Sequence, residues 1–238
     1  MPSVTDDLSR IARQLTDDLE LASPPVQITY LDQAPSGVPA HPGGAPSVCT
    51  FFAEGRTAPF YAALPEHEAC EVGAFVLGVA PTGELGTRLM ATIGMMQSEG
   101  YLAPGEEAKI PRNSTPPKFV AYGPLGTLPM APTDVLLFAR PKSAMLAMEA
   151  SSAPVPVNGR PMCAVVPTLH AGAPVAVSVG CIGSRIYTNM GDDTMLVGIR
   201  GDRLGEFAER LRKIRSANAA VGREDERRKS GYHPPRRG

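Results

Sequence analysis

The chain carries 24 Gly and 25 Pro in 238 residues, and this punctuation constrains its fold more than any other feature. Proline removes a backbone donor and breaks helix interiors and central strands. Glycine weakens either element through its backbone entropy. The elements must therefore be short and joined by many ordered turns. No apolar run approaches the ~18 residues that a membrane span needs. A composition of 43% hydrophobic and 20% charged residues is that of an ordinary globular chain. At this length the core needs no disulfide staples.

Periodicity places the elements. Val4, Leu8, Ile11, Leu15 and Leu19 recur at helical spacing, with Ser3 or Thr5 as the cap and Asp6 and Asp7 in the first turn. Val26–Leu31 alternates as a strand, and Val48–Phe52, which carries Cys49, reads as extended. Phe60–Leu64 is another short strand, and Ala69–Leu77 a buried helix. Leu85, Leu89, Ile93 and Met96 form a second helical stripe, from about Glu84 to Glu99. Strands follow at Phe119–Tyr122 and Asp134–Ala139, and Pro141 opens a helix to about Ala150. Val155–Val157, Val175–Val179 and Met195–Ile199 read as strands, and a last helix from Leu204 is capped by Asp202. Strands and helices mix without strict βαβ alternation. The expected class is α+β, with a mixed or antiparallel sheet covered by helices.

Charge adds little at the whole-chain level. A net charge of −1 makes no case for nucleic acid or an anionic membrane as partner. Basic residues gather at the end, in Arg223, Arg227, Arg228, Lys229, Arg236 and Arg237. That stretch lacks an apolar period and ends in Pro-Pro-Arg-Arg-Gly, so residues 217–238 read as a disordered basic tail after a single domain over 1–216. The N-terminus has neither the basic nor the apolar region of a signal peptide, which places the chain in the cytoplasm with reduced thiols.

The four cysteines fall into two similar pairs. Cys49 and Cys70 are 21 positions apart, and Cys163 and Cys181 are 18 apart. Each pair follows an apolar strand and a Pro/Gly-rich stretch, and a glycine follows soon after Cys70 and after Cys181. This shared order suggests an internal repeat of about 1–115 and 116–216, packed about a pseudo-twofold axis that brings the pairs together.

A family resemblance rests on these same stretches. Phe60-Tyr61-Ala62 and His67-Glu68-Ala69-Cys70-Glu71-Val72-Gly73-Ala74 begin it. Gly123-Pro124-Leu125, Asp134–Phe138, Gly159-Arg160 before Cys163, Gly180–Arg185 and Asp192-Asp193-Thr194-Met195 continue it. Over roughly residues 5–215 the chain resembles the domain of unknown function 169, an uncharacterised, archaeal cysteine-rich family. All four recurrent cysteine positions are filled, which the resemblance implies belong to one site. Thr194 stands where an acidic residue is common.

Four thiolates are the usual complement of a 4Fe-4S cluster or a structural zinc. The wide spacing suits a cluster held between elements better than the paired local ligands of a zinc ribbon. The leading expectation is a cytoplasmic iron–sulfur protein with Cys49, Cys70, Cys163 and Cys181 as metal ligands. Its role would be electron transfer, sensing or, with an open iron, small-molecule chemistry; whether it is an enzyme stays open. Two alternatives stand beside it: a metal-free protein with redox-active thiols that binds a small anion, and a zinc-stabilised interaction protein. Each cysteine equally suits a small buried hydrophobe.

Gly183-Ser184-Arg185 directly follows Cys181. Such a glycine-rich turn can hold an anion through backbone donors and the Arg185 fork, and Arg185 could tune a cluster's charge. The same residues suit a plain turn with a surface ion pair. Arg160 faces either the cysteine site or solvent. His67 reads as a cap or surface group, His41 and His170 as loop residues without partners, and Asp192 and Asp193 as turn residues. Met90, Met95, Met96, Met145 and Met148 read as core packing.

Overall fold

The computed structural model describes residues 4–188 and 190–230. The cap expected of Ser3 and the Pro-Pro-Arg-Arg end lie outside them. Helix α1 spans Val4–Asp18 and strand β1 Val26–Leu31. They are followed by α2 (Val48–Glu54), β2 (Phe60–Ala63), α3 (Glu71–Val76), α4 (Gly83–Ser98) and β3 (Phe119–Pro124). Then come β4 (Asp134–Ala139), α5 (Pro141–Glu149), β5 (Val157–Asn158), α6 (Val165–His170), β6 (Val175–Ser178), α7 (Ile182–Thr188), β7 (Met195–Arg200) and α8 (Leu204–Ser230).

All seven strands join one sheet in the order β2-β3-β1-β4-β7-β6-β5. Every pairing is antiparallel except β5 with β6. This is the expected α+β class with a mixed sheet. Strand alternation divides the core in two, because successive side chains leave opposite faces of a sheet. Val26, Ile28, Leu136, Phe138, Ala176 and Leu196 face one core with α2 and α6. Val135, Leu137, Val175, Val177, Val197 and Ile199 face the other with α1, α5 and α8. The cysteines lie on the first face.

Outward from the central β1/β4 pair the order is the same in both directions: β3 then β2 on one side, β7 then β6 on the other. Each outer strand has a parallel partner at its edge. Tyr61 bridges Ala40, and Val177 pairs with Val157. Both partners follow a Val-Pro step, and the Tyr61 and Val177 N–H groups donate to the Pro39 and Pro156 carbonyls at 2.9 Å. Strand β3 pairs with β1 and β2, so it groups with the first half of the sheet.

Two expectations need correction. Val48–Phe52 is not extended but the start of α2, because Ser47 caps it by accepting the Thr50 N–H at 3.1 Å. Residues 217–230 are not a disordered tail but the continuation of α8. Ala and long charged side chains favour helix there, and Glu224 with Arg228 and Asp225 with Lys229 pair one turn apart. Among the described residues no helix is long and apolar enough to cross a membrane.

Candidate functional site

Four short helices bring the cysteines together, each carrying its cysteine at or just before the first turn. Cys49 is the second residue of α2. Cys70 caps α3, its sulfur accepting the Gly73 N–H at 3.3 Å. Cys163 sits in the 3-10 turn Met162–Ala164 that runs into α6. Cys181 directly precedes α7, where its N–H donates to the Ser184 hydroxyl at 3.0 Å. All four are free thiols, and all four line one cavity of about 420 Å³. Cys49 and Cys163 are buried; Cys70 and Cys181 are partly open.

Their environments separate the thiols chemically. Burial pushes Cys163 and Cys70 upward. Cys49 and Cys181 act on one another, which raises Cys49 and lowers Cys181. Backbone groups at Met162 and Ser184 add to the lowering at Cys181.

Among the described residues, no three His, Cys, Asp or Glu side chains are grouped closely enough to hold one metal ion. A single zinc needs every sulfur ~2.3 Å from one centre. A cubane cluster binds each thiolate at a different iron and so accepts a wider set. Four thiols around one cavity are the donor type that either group takes.

The glycine-rich stretch differs from expectation. Gly183-Ser184-Arg185 is not an open turn but the start of α7. The Ser184 hydroxyl donates back to the Cys181 carbonyl at 2.8 Å. Arg185 donates to Asp192 Oδ1 and to the Val179 carbonyl, both at 3.2 Å. Gly183 lines the cavity; Ser184 and Arg185 do not. The cation at the cavity is Arg160, whose guanidinium lies 4.3 Å from the Tyr101 ring centre and donates to Glu106 at 3.2 Å.

The histidines also differ. His67 is neither cap nor surface group but fully buried, bonded to the Ala63 carbonyl and the Tyr122 hydroxyl. With both ring nitrogens engaged it is no metal ligand. His41 pairs with Glu54 at 2.7 Å, and His170 with Asp134 at 2.8 Å and Asn113 at 2.9 Å. Asp192 and Asp193 pair with Arg185 and Arg140. Met90, Met95 and Met145 are more than half exposed and do not fill the core.

Glycine sets how closely α2 and α3 approach. A Cβ at Gly73 would lie 2.5 Å from Val48 Cγ2 and 3.1 Å from Cys70 Sγ. Gly73→Val is expected to cost about 1–3 kcal/mol by overpacking and to speed Cys70 alkylation. Gly159→Val, with no neighbour within 4 Å, should leave both unchanged. Denaturation midpoints and alkylation rates of the two variants check this.

The fold and site define an α+β protein with a composite four-thiol cavity. A family model described as DUF169, uncharacterised ArCR, matches residues 14–210, and the chain belongs to that family. No curated protein and no solved structure matches it.

Proposed function

We propose that Cys49, Cys70, Cys163 and Cys181 ligate one iron–sulfur cluster of the 4Fe-4S type. The convergence of all four thiols on one cavity carries this reading. The similar strand order on the two sides of the β1/β4 pair accords with it, since Cys49 and Cys163 lie in the same core on one face of the sheet. The bound cluster supplies electron transfer or sensing, or Lewis acidity if one iron is open. The protein's own groups hold and tune it. Cys181 offers a thiolate at lower pH than an ordinary thiol, the apolar walls limit water, and Arg160, paired with Glu106, lines the cavity. The free thiols accord with a reducing compartment such as the cytoplasm.

Purification without oxygen, followed by iron, sulfide and zinc analysis and a visible spectrum, tests the proposal. Reconstituted protein should hold four iron and four sulfide per chain, and each Cys→Ser variant should lose most of both. A colourless product without iron or sulfide overturns the reading, and one zinc per chain favours a zinc site instead.

Cys49 and Cys181, free thiols that line the same cavity, favour a second reading, a redox thiol pair without metal. Hydrogen peroxide would oxidise the two thiols to one disulfide and itself be reduced to two waters. Loss of two titratable thiols per chain on peroxide treatment, reversed by dithiothreitol and absent in Cys49→Ser, would support it.

A further inference from the structure

The cavity is larger than its thiol wall alone requires. Its remaining wall is apolar, built from Val72 of α3, Ile93 and Met96 of α4, and Leu102 and Ile110 beyond it. A volume of about 420 Å³ lies in the range of pockets for small organic molecules. Its rim is apolar too. Met95, Ile182, Ile186 and Tyr187 line it, with relative exposures of 52%, 43%, 67% and 49%. Large exposed hydrophobics gathered at the mouth of a cavity mark a binding site rather than chance. The methionines give it an adaptable, polarisable surface.

Charge narrows the ligand class. Among the described residues the cavity is lined by one cation, Arg160, and one carboxylate, Glu71. Arg160 is already paired with Glu106 and packed on Tyr101. Glu71 already accepts a hydrogen bond from the Thr92 hydroxyl. Arg160 therefore offers no free positive charge, and Glu71 and the lowered Cys181 thiol disfavour a negative one, so an anionic ligand would lose its hydration without repayment.

We propose that this cavity binds an uncharged, largely apolar small molecule, held between the methionine and isoleucine wall and the four cysteines. The inference deepens the cluster reading, since such a ligand would lie against the metal centre. The apolar walls and rim carry it whether or not a cluster is bound.

A matched pair of probes tests it. N-phenyl-1-naphthylamine is neutral, and 8-anilinonaphthalene-1-sulfonate adds an anionic sulfonate to the same skeleton. The chain has no Trp, so probe fluorescence is read against a low background. The neutral probe should bind saturably at one site per chain, and the sulfonate at least roughly tenfold more weakly, because its charge must be desolvated. Met95→Asp and Ile186→Asp change exposed rim positions and should each weaken the neutral probe roughly tenfold for the same reason. Met145→Asp alters an equally exposed methionine on α5 and should leave binding unchanged. Thermal melts verify that all three variants fold.

Absence of saturable binding, equal or tighter binding of the sulfonate, or an equal loss in Met145→Asp overturns the inference. The titrations are run on metal-free and on reconstituted protein, with iron and sulfide measured separately. Probe binding without iron removes the cluster and keeps the apolar site. Iron and sulfide without probe binding does the reverse.

Discussion

Phe51→Ala is expected to lower the stability of the protein by about 3–5 kcal/mol, as for other buried Phe→Ala changes. Phe51 is 1% exposed and stands among aromatic rings. It stacks on Tyr122 at 5.6 Å with 12° between planes and lies 4.5 Å from His67 and 4.9 Å from His41. Aromatic pairs add to the burial of their area, so the upper part of the range is the better expectation. A domain of ordinary stability has about 5–15 kcal/mol in total. The change therefore removes a large share of it. There is a local consequence as well. Helix α2 has seven residues, too few to persist without tertiary packing. Phe51 and Phe52 are fully buried on α2 and hold Cys49 in the cavity. Alkylation of Cys49 in the native variant should accelerate along with the loss of stability. Ile186→Ala, at a position 67% exposed, is the control and should change stability by no more than about 0.5 kcal/mol. Urea denaturation of both variants checks the comparison; a cost below about 1 kcal/mol for Phe51→Ala would mean that the ring cluster does not anchor α2.

Much of this arrangement was readable in the residues, and its gaps have physical causes. The long strands β1, β4 and β7 announced themselves by apolar runs of β-formers, and α1 by a five-point stripe. Pro141 marked the start of α5. The short helices were harder. Val48-Cys49-Thr50-Phe51-Phe52 is rich in β-formers, and over so short a run periodicity cannot separate strand from helix. The deciding signal was Ser47 as a cap, which lies just before it. Helix α6 carries Pro167 in its first turn, where proline is tolerated because its missing N–H has no partner in any case. Read as a breaker, it hides the helix. Gly183 disguised α7 as a turn in the same way.

The site was legible in its cysteines and less so in its surroundings. Four thiols in two similar pairs pointed to one place, and the cavity they line is that place. Of the two arginines named as candidates, Arg160 and not Arg185 lines the cavity. Arg185 is nearer Cys181 in sequence, yet helix α7 turns it toward Asp192, while Arg160 reaches the cavity over Tyr101. Chain proximity does not set which way a helical side chain leaves its axis. The wall supplied by α4 was missed because an apolar stripe reads alike whether it packs against a core or borders a cavity. Met95 and Met96 on that helix do the second. His67 was missed for the opposite reason. Its acidic neighbours and Pro65 resemble a surface turn, but the 3-10 helix Leu64–His67 rotates the ring inward.

That inward ring makes the protein sensitive to acid. His67 Nδ1–H donates to the Ala63 carbonyl at 3.0 Å, so Nε2 carries the lone pair that accepts the Tyr122 hydroxyl proton at 2.8 Å. The neutral imidazole satisfies both contacts. Protonation would set a second hydrogen against the Tyr122 hydroxyl, which is itself fully buried. Burial pushes the His67 pKa down to about 4 from 6.5. The unfolded chain then takes up the proton first as pH falls. The contribution of His67 is fully present above about pH 6.5, declines as pH falls toward about 4, and changes no further below that. At 1.36 kcal/mol per unit the loss across this window is about 3 kcal/mol. His67→Gln should start less stable at pH 7.5, by about 1–3 kcal/mol for the disrupted buried hydrogen bonds, and should lack this slope. Other histidines and carboxylates titrate in both proteins, so the difference between their stability curves isolates the one imidazole. Urea denaturation in steps from pH 7.5 to 4 should show the difference between the curves shift by about 3 kcal/mol in the variant's favour, so that the wild type loses its advantage and the curves meet or cross. Parallel curves would mean that His67 is already protonated in the folded protein, or that Tyr122 turns its hydroxyl to accept the new proton.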